Sequence, residues 1–120
     1  MRVLVLEDDP RRIRWLERMV PEADVFWTQS VPRLLRILQE EGVWDLVLLD
    51  HDLNRKYTGT DAAKTMSVVG PIIVWSRNPT GAKRMVRILE KRDQLVIGWF
   101  PFGSPGLVQR VRVIRDWWVS

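Results

Sequence analysis

Val47-Leu48-Leu49-Asp50-His51-Asp52-Leu53 is the stretch that decides the fold. An apolar run stops abruptly at two carboxylates, and between them stands the only histidine of the chain. Residues 43–49 are short, apolar and preceded by Gly42, so they predict a buried strand. A strand without polar alternation belongs in a parallel sheet covered on both faces. Open sheets of that kind hold their ligands at the carboxyl ends of the strands. Asp50, His51 and Asp52 therefore fall where such a protein places its chemistry.

The rest of the chain repeats the same unit on either side. Residues 2–6 (RVLVL) form a first strand ending in Glu7-Asp8-Asp9, and Asp9 before Pro10 is a helix start. Ile13, Leu16, Met19 and Val20 share one helical face, with Arg11, Arg12, Arg14 and Arg18 largely outside it. Residues 23–27 are a second strand. Ser30 caps the next helix, Pro32 sits in its first turn, and Gly42 ends it. A polar loop with Arg55 and Lys56 leads through Thr58, Gly59 and Thr60 into a helix over 61–69. Residues 71–75 (PIIVW) are the fourth strand, followed by Ser76-Arg77-Asn78-Pro79 and a helix over 80–91. Residues 95–100 are the fifth strand. Ser104-Pro105 opens the last helix, whose apolar stripe is Leu107, Val108, Val111, Ile114 and Trp118.

Five strands alternating with five helices predict right-handed βαβ crossovers and a parallel sheet. The expected architecture is a single α/β domain over residues 1–120, three-layered and doubly wound, a (βα)5 flavodoxin-like fold with strand order 2-1-3-4-5. Its switch point lies between strands 1 and 3, which brings Glu7, Asp8 and Asp9 beside Asp50. Several carboxylates in one crevice repel one another unless a cation sits among them. Oxygen donors alone favour Mg²⁺, Mn²⁺ or Ca²⁺ over zinc. The Ser76 hydroxyl at the end of strand 4 suits a phosphoryl oxygen, so the set points to a metal-assisted phosphoester site. For Asp9 the simpler role is the helix cap. His51 suits general acid–base work near neutral pH, and it equally suits a hydrogen bond that fixes Asp52 and the loop. Asp52, or a carbonyl of its loop, adds a possible metal ligand.

Taken together, these boxes resemble the receiver domains of the CheY-like response-regulator superfamily. The resemblance rests on Glu7-Asp8, Asp50, Gly59 and Ser76. It implies that Asp8 and Asp50 hold Mg²⁺ directly, that Glu7 acts through water, and that Ser76 contacts a phosphoryl group. Receivers carry a Lys-Pro pair after strand 5, whereas this chain has Phe100-Pro101. Lys83 and Arg77 are the cations considered as substitutes. The segments LEDD, LLDHDL, TG, WSRNPTGAKRM and FPFG are similar to a receiver-derived family, the cyclic-phosphate processing receivers. That likeness implies metal-dependent handling of a cyclic phosphate, in nucleotides or at RNA ends. Asp50, His51 and Ser76 are then the candidate catalytic residues, and Glu7, Asp8, Asp50 and Asp52 the candidate ligands of Mg²⁺ or Mn²⁺. Thr58, Gly59, Arg77, Asn78 and Lys83 are candidate phosphate or substrate contacts. The family's histidine before the serine is Trp75 here. Two alternatives stay open. One is a signalling receiver phosphorylated on Asp50 by a histidine kinase. The other is a non-catalytic module for binding or dimerisation.

Composition narrows the setting. Lys and Arg number 19 against 15 Asp and Glu, a net charge of +4, which agrees with phosphate-bearing partners as well as with an ordinary soluble surface. The absence of cysteine rules out disulfides and thiolate metal sites. No apolar run reaches the ~20 residues needed to span a bilayer, and a cytoplasmic location is expected. Arg55, Lys56, Arg77, Lys83 and Arg84 would form a basic rim around the acidic floor. Trp75 and Trp99 end strands near that rim and are assigned to core packing ahead of base stacking. Trp117 and Trp118 are adjacent, so helix 5 can bury only one, and the other would mark a homodimer or partner surface.

Overall fold

The computed structural model describes residues 1–67 and 70–119, with side chains through residue 117. The elements run β1 (Arg2–Leu6), α1 (Pro10–Met19), β2 (Asp24–Thr28), α2 (Val31–Glu41), β3 (Leu46–Leu49), α3 (Gly59–Thr65), β4 (Ile72–Val74), α4 (Pro79–Lys91), β5 (Val96–Trp99) and α5 (Pro105–Val119). All strand pairs are parallel, and the sheet order is β2-β1-β3-β4-β5. This is the doubly wound receiver fold expected from the chain.

Side-chain alternation along the strands separates two core layers. Leu4, Leu6, Val47, Leu49 and Val74 face α2, α3 and α4, where they meet Leu34, Ala62 and Met85. Val3, Val5, Leu48 and Ile73 face the other way, onto Ile13 and Leu16 of α1 and Leu107 and Val111 of α5. The central strands β3 and β4 are fully buried, whereas β2 and β5 at the edges are partly solvated. Register then places the site. Leu6 pairs with Leu49 and Leu49 with Val74, so the residues that follow leave the sheet side by side.

Several boundaries differ from expectation for local reasons. The third strand begins at Leu46, not at residue 43. Val43 is 73 % exposed, and the Asp45 Oδ2 accepts the backbone N–H of Arg2 at 2.7 Å, which bends the chain round the start of β1. Helix α3 begins two residues early because the Thr58 N–H donates to Asp61 Oδ2 at 2.8 Å and closes its first turn. It ends at Thr65; the expected extension through Val69 falls on residues outside those described. Helix α4 starts at Pro79, capped by Asn78, whose Oδ1 accepts the Gly81 N–H at 3.0 Å. In α5, Leu107 and Val111 are buried while Val108 and Ile114 are half-buried, and the Trp118 side chain lies outside the described residues. Trp117 is exposed. No described helix is long and apolar enough to cross a membrane.

Candidate functional site

Three carboxylates converge where the central strands end. Glu7 directly follows β1, and its N–H bonds to the Thr28 carbonyl at 3.0 Å. Its side chain folds back, so that Oε2 accepts the N–H groups of Asp8 (2.9 Å) and Asp9 (3.2 Å). Asp50 directly follows β3, held by its N–H to the Leu6 carbonyl at 3.0 Å. Carboxylate oxygens of Glu7, Asp8 and Asp50 all lie within 4.8 Å of one another. Glu7 is 0 % exposed and Asp50 2 %. Ser76, equally buried after β4, works to lower the Asp50 carboxyl through its hydroxyl and accepts the Asn78 N–H at 3.1 Å.

Burial of two like charges has an electrostatic cost. Desolvation, then repulsion from Asp50, pushes the Glu7 carboxyl up to about 8. Desolvation also raises Asp50, against the pull of Arg12. Among the described residues, the cation paired with this group comes from α1. Arg12 Nη1 stands 3.1 Å from Glu7 Oε1 and 3.8 Å from Asp50 Oδ2. One guanidinium balances only one of the three carboxylates. A divalent cation among the three would neutralise the remainder, and an all-oxygen donor set suits a hard metal. The residues present therefore fit a receiver-type acidic metal pocket.

The cleft above the triad has a volume of about 300 Å³ and is lined by Asp8, Asp9, Arg12, Asp50, Asp52 and Arg77. Asp9 caps α1 through its Oδ1, which accepts the Arg11 N–H at 2.9 Å. Asp52 lies outside the triad among the described residues: its side chain is 66 % exposed and pairs with His51 Nδ1 at 2.8 Å. That bond, chiefly, holds the Asp52 carboxyl below its usual range. The Asn78 amide adds weaker contacts to Asp52 at 3.4 Å.

His51 does not line the cleft. Its ring lies against Gly81 in the first turn of α4, where an added Cβ would stand 2.5 Å from the ring. Thr58 and Gly59 stand at a helix start. Thr58 caps α3, and the N–H of buried Gly59 bonds to the His51 carbonyl at 2.9 Å. Arg77 is exposed at the rim, and Lys83 lies on α4 beyond the lining residues. Trp75 is fully buried, and the half-buried Trp99 donates its indole N–H to the Ser76 carbonyl at 2.7 Å, so both serve packing. The Phe100 ring turns to α5, next to Gly106 and Arg110, and stays out of the acidic cleft.

Arg12 is the site residue that sequence reasoning missed. Helical periodicity assigned it to the solvent face of α1, yet its side chain reaches back over the helix start to Glu7. The only signal available was its place in the first turn after an acidic triplet.

The buried pair sets a pH dependence. Glu7 in the unfolded chain ionises near 4.5, whereas the folded chain keeps the proton to about 8. The folded state thus binds more protons between those values, and stability falls as pH rises through the window. One such site contributes a slope of about 1.4 kcal/mol per pH unit. Urea unfolding in chelator at pH 5.5 and 7.5 should show the metal-free protein less stable at 7.5, with the difference reduced in Glu7→Gln. A cation that binds the ionised triad competes with this proton, so its affinity should rise with pH up to about 8.

Comparisons with known proteins agree with this geometry. The profile of the family described as the cyclic-phosphate processing receiver domain matches residues 3–91. Among solved structures, the N-terminal domain of a response regulator/sensory box/GGDEF three-domain protein from Carboxydothermus hydrogenoformans is similar, with TM-score 0.71 at 15% identity. The match covers 97% of this chain and 91% of that one. The receiver domain of the Francisella response regulator 1452 matches with TM-score 0.70 and 15% identity over 96% of both chains. The Mn(2+)-bound form of response regulator Rcp1 matches with TM-score 0.65 and 16% identity, covering 98% of this chain and 93% of that one. At these identities the structural likeness shows the fold alone. A search of curated proteins returns no match.

Proposed function

The chain belongs to the cyclic-phosphate processing receiver domain family, and from that membership we propose that its acidic cleft carries out metal-dependent processing of a cyclic phosphate or a related phosphoester. The observation that carries this reading is the triad of Glu7, Asp8 and Asp50, two of them buried, opening into a cleft that also holds Arg12 and Arg77. The triad would hold Mg²⁺ or Mn²⁺. Such an ion, when bound, offsets the charge of a phosphoryl group and polarises its oxygens.

The chain's own residues do the rest. Arg77 at the rim draws in an anionic ester. Ser76 presents its hydroxyl beside Asp50, where a phosphoryl oxygen can accept it. His51 acts on the site through Asp52: its Nδ1 contact fixes the carboxylate that faces the cleft, which makes it a positioning residue. Thr58, Gly59 and Asn78 hold the two helix starts that frame the opening. Hydrolysis of a cyclic phosphodiester breaks one ring P–O bond, leaves the water oxygen on phosphorus and delivers a proton to the released alkoxide.

The test is a turnover screen of the purified protein against 2′,3′-cyclic nucleotides and RNA with a 2′,3′-cyclic end. Hydrolysis should appear with Mg²⁺ or Mn²⁺ and vanish with chelator. No turnover with any divalent cation would contradict the reading. One observation favours a second reading, a receiver phosphorylated on Asp50 by a histidine kinase: Arg12, 3.8 Å from Asp50, supplies a cation in spite of Phe100. A small phosphodonor with Mg²⁺ should then add one phosphoryl group to the intact mass, and an unmodified mass argues against it.

A further inference from the structure

Trp75, where the family has a histidine, and the turn that follows Phe100 meet in one side-chain stack. The N–H of Phe102, two residues after Phe100, bonds to the Trp75 carbonyl at 2.9 Å. Its ring meets Trp75 edge-on at 6.0 Å between centroids and Trp15 at 4.8 Å. Above the same ring lies the Arg12 guanidinium, 5.0 Å from the centroid. Arg12 is thus held from two sides. Phe102 supports its face, and Glu7 takes one edge at 3.1 Å. Its side chain is 22 % exposed, so it is neither a free surface cation nor sealed in the core. A guanidinium on an aromatic face keeps its N–H fork available in its own plane, the geometry that matches phosphate oxygens.

We propose that Arg12, positioned by Phe102 on Trp15 and Trp75, is the phosphate-binding cation of this site and takes the part left open by Phe100. In the metal-free protein it serves as counter-ion to Glu7 and Asp50. With a divalent cation in the triad, that duty passes to the metal, and the guanidinium pairs with the phosphoryl oxygens of the ligand. The assignment rests on the metal-and-phosphate reading of the cleft and adds to it the residue that recognises the anion.

The experiment is a pair of titrations on the full chain, first Mn²⁺ alone and then inorganic phosphate into Mn²⁺-loaded protein, both by calorimetry. In Arg12→Met, phosphate affinity should fall by about tenfold or more, the value of a charge-assisted pair. Mn²⁺ should bind Arg12→Met as tightly as wild type or severalfold tighter, because a competing positive charge has left the triad. Phe102→Leu leaves every charge in place, so it should weaken phosphate severalfold and leave Mn²⁺ binding unchanged; it also covers the case in which Arg12→Met does not fold. Unchanged phosphate affinity in Arg12→Met, with Mn²⁺ binding intact, overturns the assignment of Arg12 alone. Absence of Mn²⁺ binding in the wild type overturns the reading beneath it.

Discussion

Asp50→Asn is expected to abolish divalent-cation binding and to lower phosphoester turnover by about a thousandfold or more, while making the metal-free fold more stable. The first effect follows from the triad. Asparagine keeps the shape of the side chain and its place after β3, but one of three anionic donors becomes a neutral amide. The second follows from burial. Desolvation is the leading cause that raises Asp50, so its charged form is disfavoured in the fold, and Glu7 lies alongside. Removing that charge relieves repulsion at the loss of a 3.8 Å contact with Arg12. A gain of about 1 kcal/mol, or roughly 4 °C in Tm, is the expected size. Thermal unfolding in chelator together with a Mn²⁺ titration checks both halves. A variant that loses stability and still binds Mn²⁺ would place Asp50 in the core and not in the site.

Gly59→Ala should be among the most damaging single substitutions in the chain. A Cβ at this position would collide with the backbone carbonyl oxygen of Asp50 and meet Met85 Sδ at 2.8 Å. Met85 can turn aside; the carbonyl cannot move without moving the strand end that carries the triad. The expected loss is about 3 kcal/mol. Mn²⁺ affinity should fall in whatever folded protein remains, because Asp50 is displaced. Gly106→Ala is the contrast: its Cβ meets only the Phe100 ring, at 3.2 Å, and it should change stability by less than about 1 kcal/mol. Chemical denaturation of the two variants measures the difference. Equal stability would show that α3 can start further from Asp50 than the structure places it.

Much of this was legible in the chain because the signals are local. Leu46 to Leu49 is apolar without alternation, which demands a doubly covered parallel strand. Asp9-Pro10, Ser30 with Pro32, and Ser104-Pro105 mark three helix starts by capping chemistry alone. Asp50 needed only its place after such a strand, and Glu7-Asp8 only the switch-point rule. The boundaries that moved were set by contacts between distant segments. The bond from Arg2 to Asp45 decides where β3 begins, and no periodicity near residue 45 contains it. The same reason hid Arg12. Its helix position reads as solvent-facing, and its actual surroundings depend on Glu7 before the helix and Phe102 far along the chain. For His51 the sequence left two roles open, and the bond to Asp52 is the one the structure shows. Its sequence setting between two acids could not choose between them, because the space at Gly81 that the ring fills belongs to α4, far along the chain.

The central claim is that Glu7, Asp8 and Asp50 form one divalent-cation site. It is tested most directly by titrating the wild-type protein with Mn²⁺ at pH 7.5 and following free Mn²⁺ by electron paramagnetic resonance. Saturable binding at one site per chain, weaker at pH 5.5 and absent from Asp50→Asn, is the predicted result. No saturable binding, or binding that Asp50→Asn leaves unchanged, would contradict it.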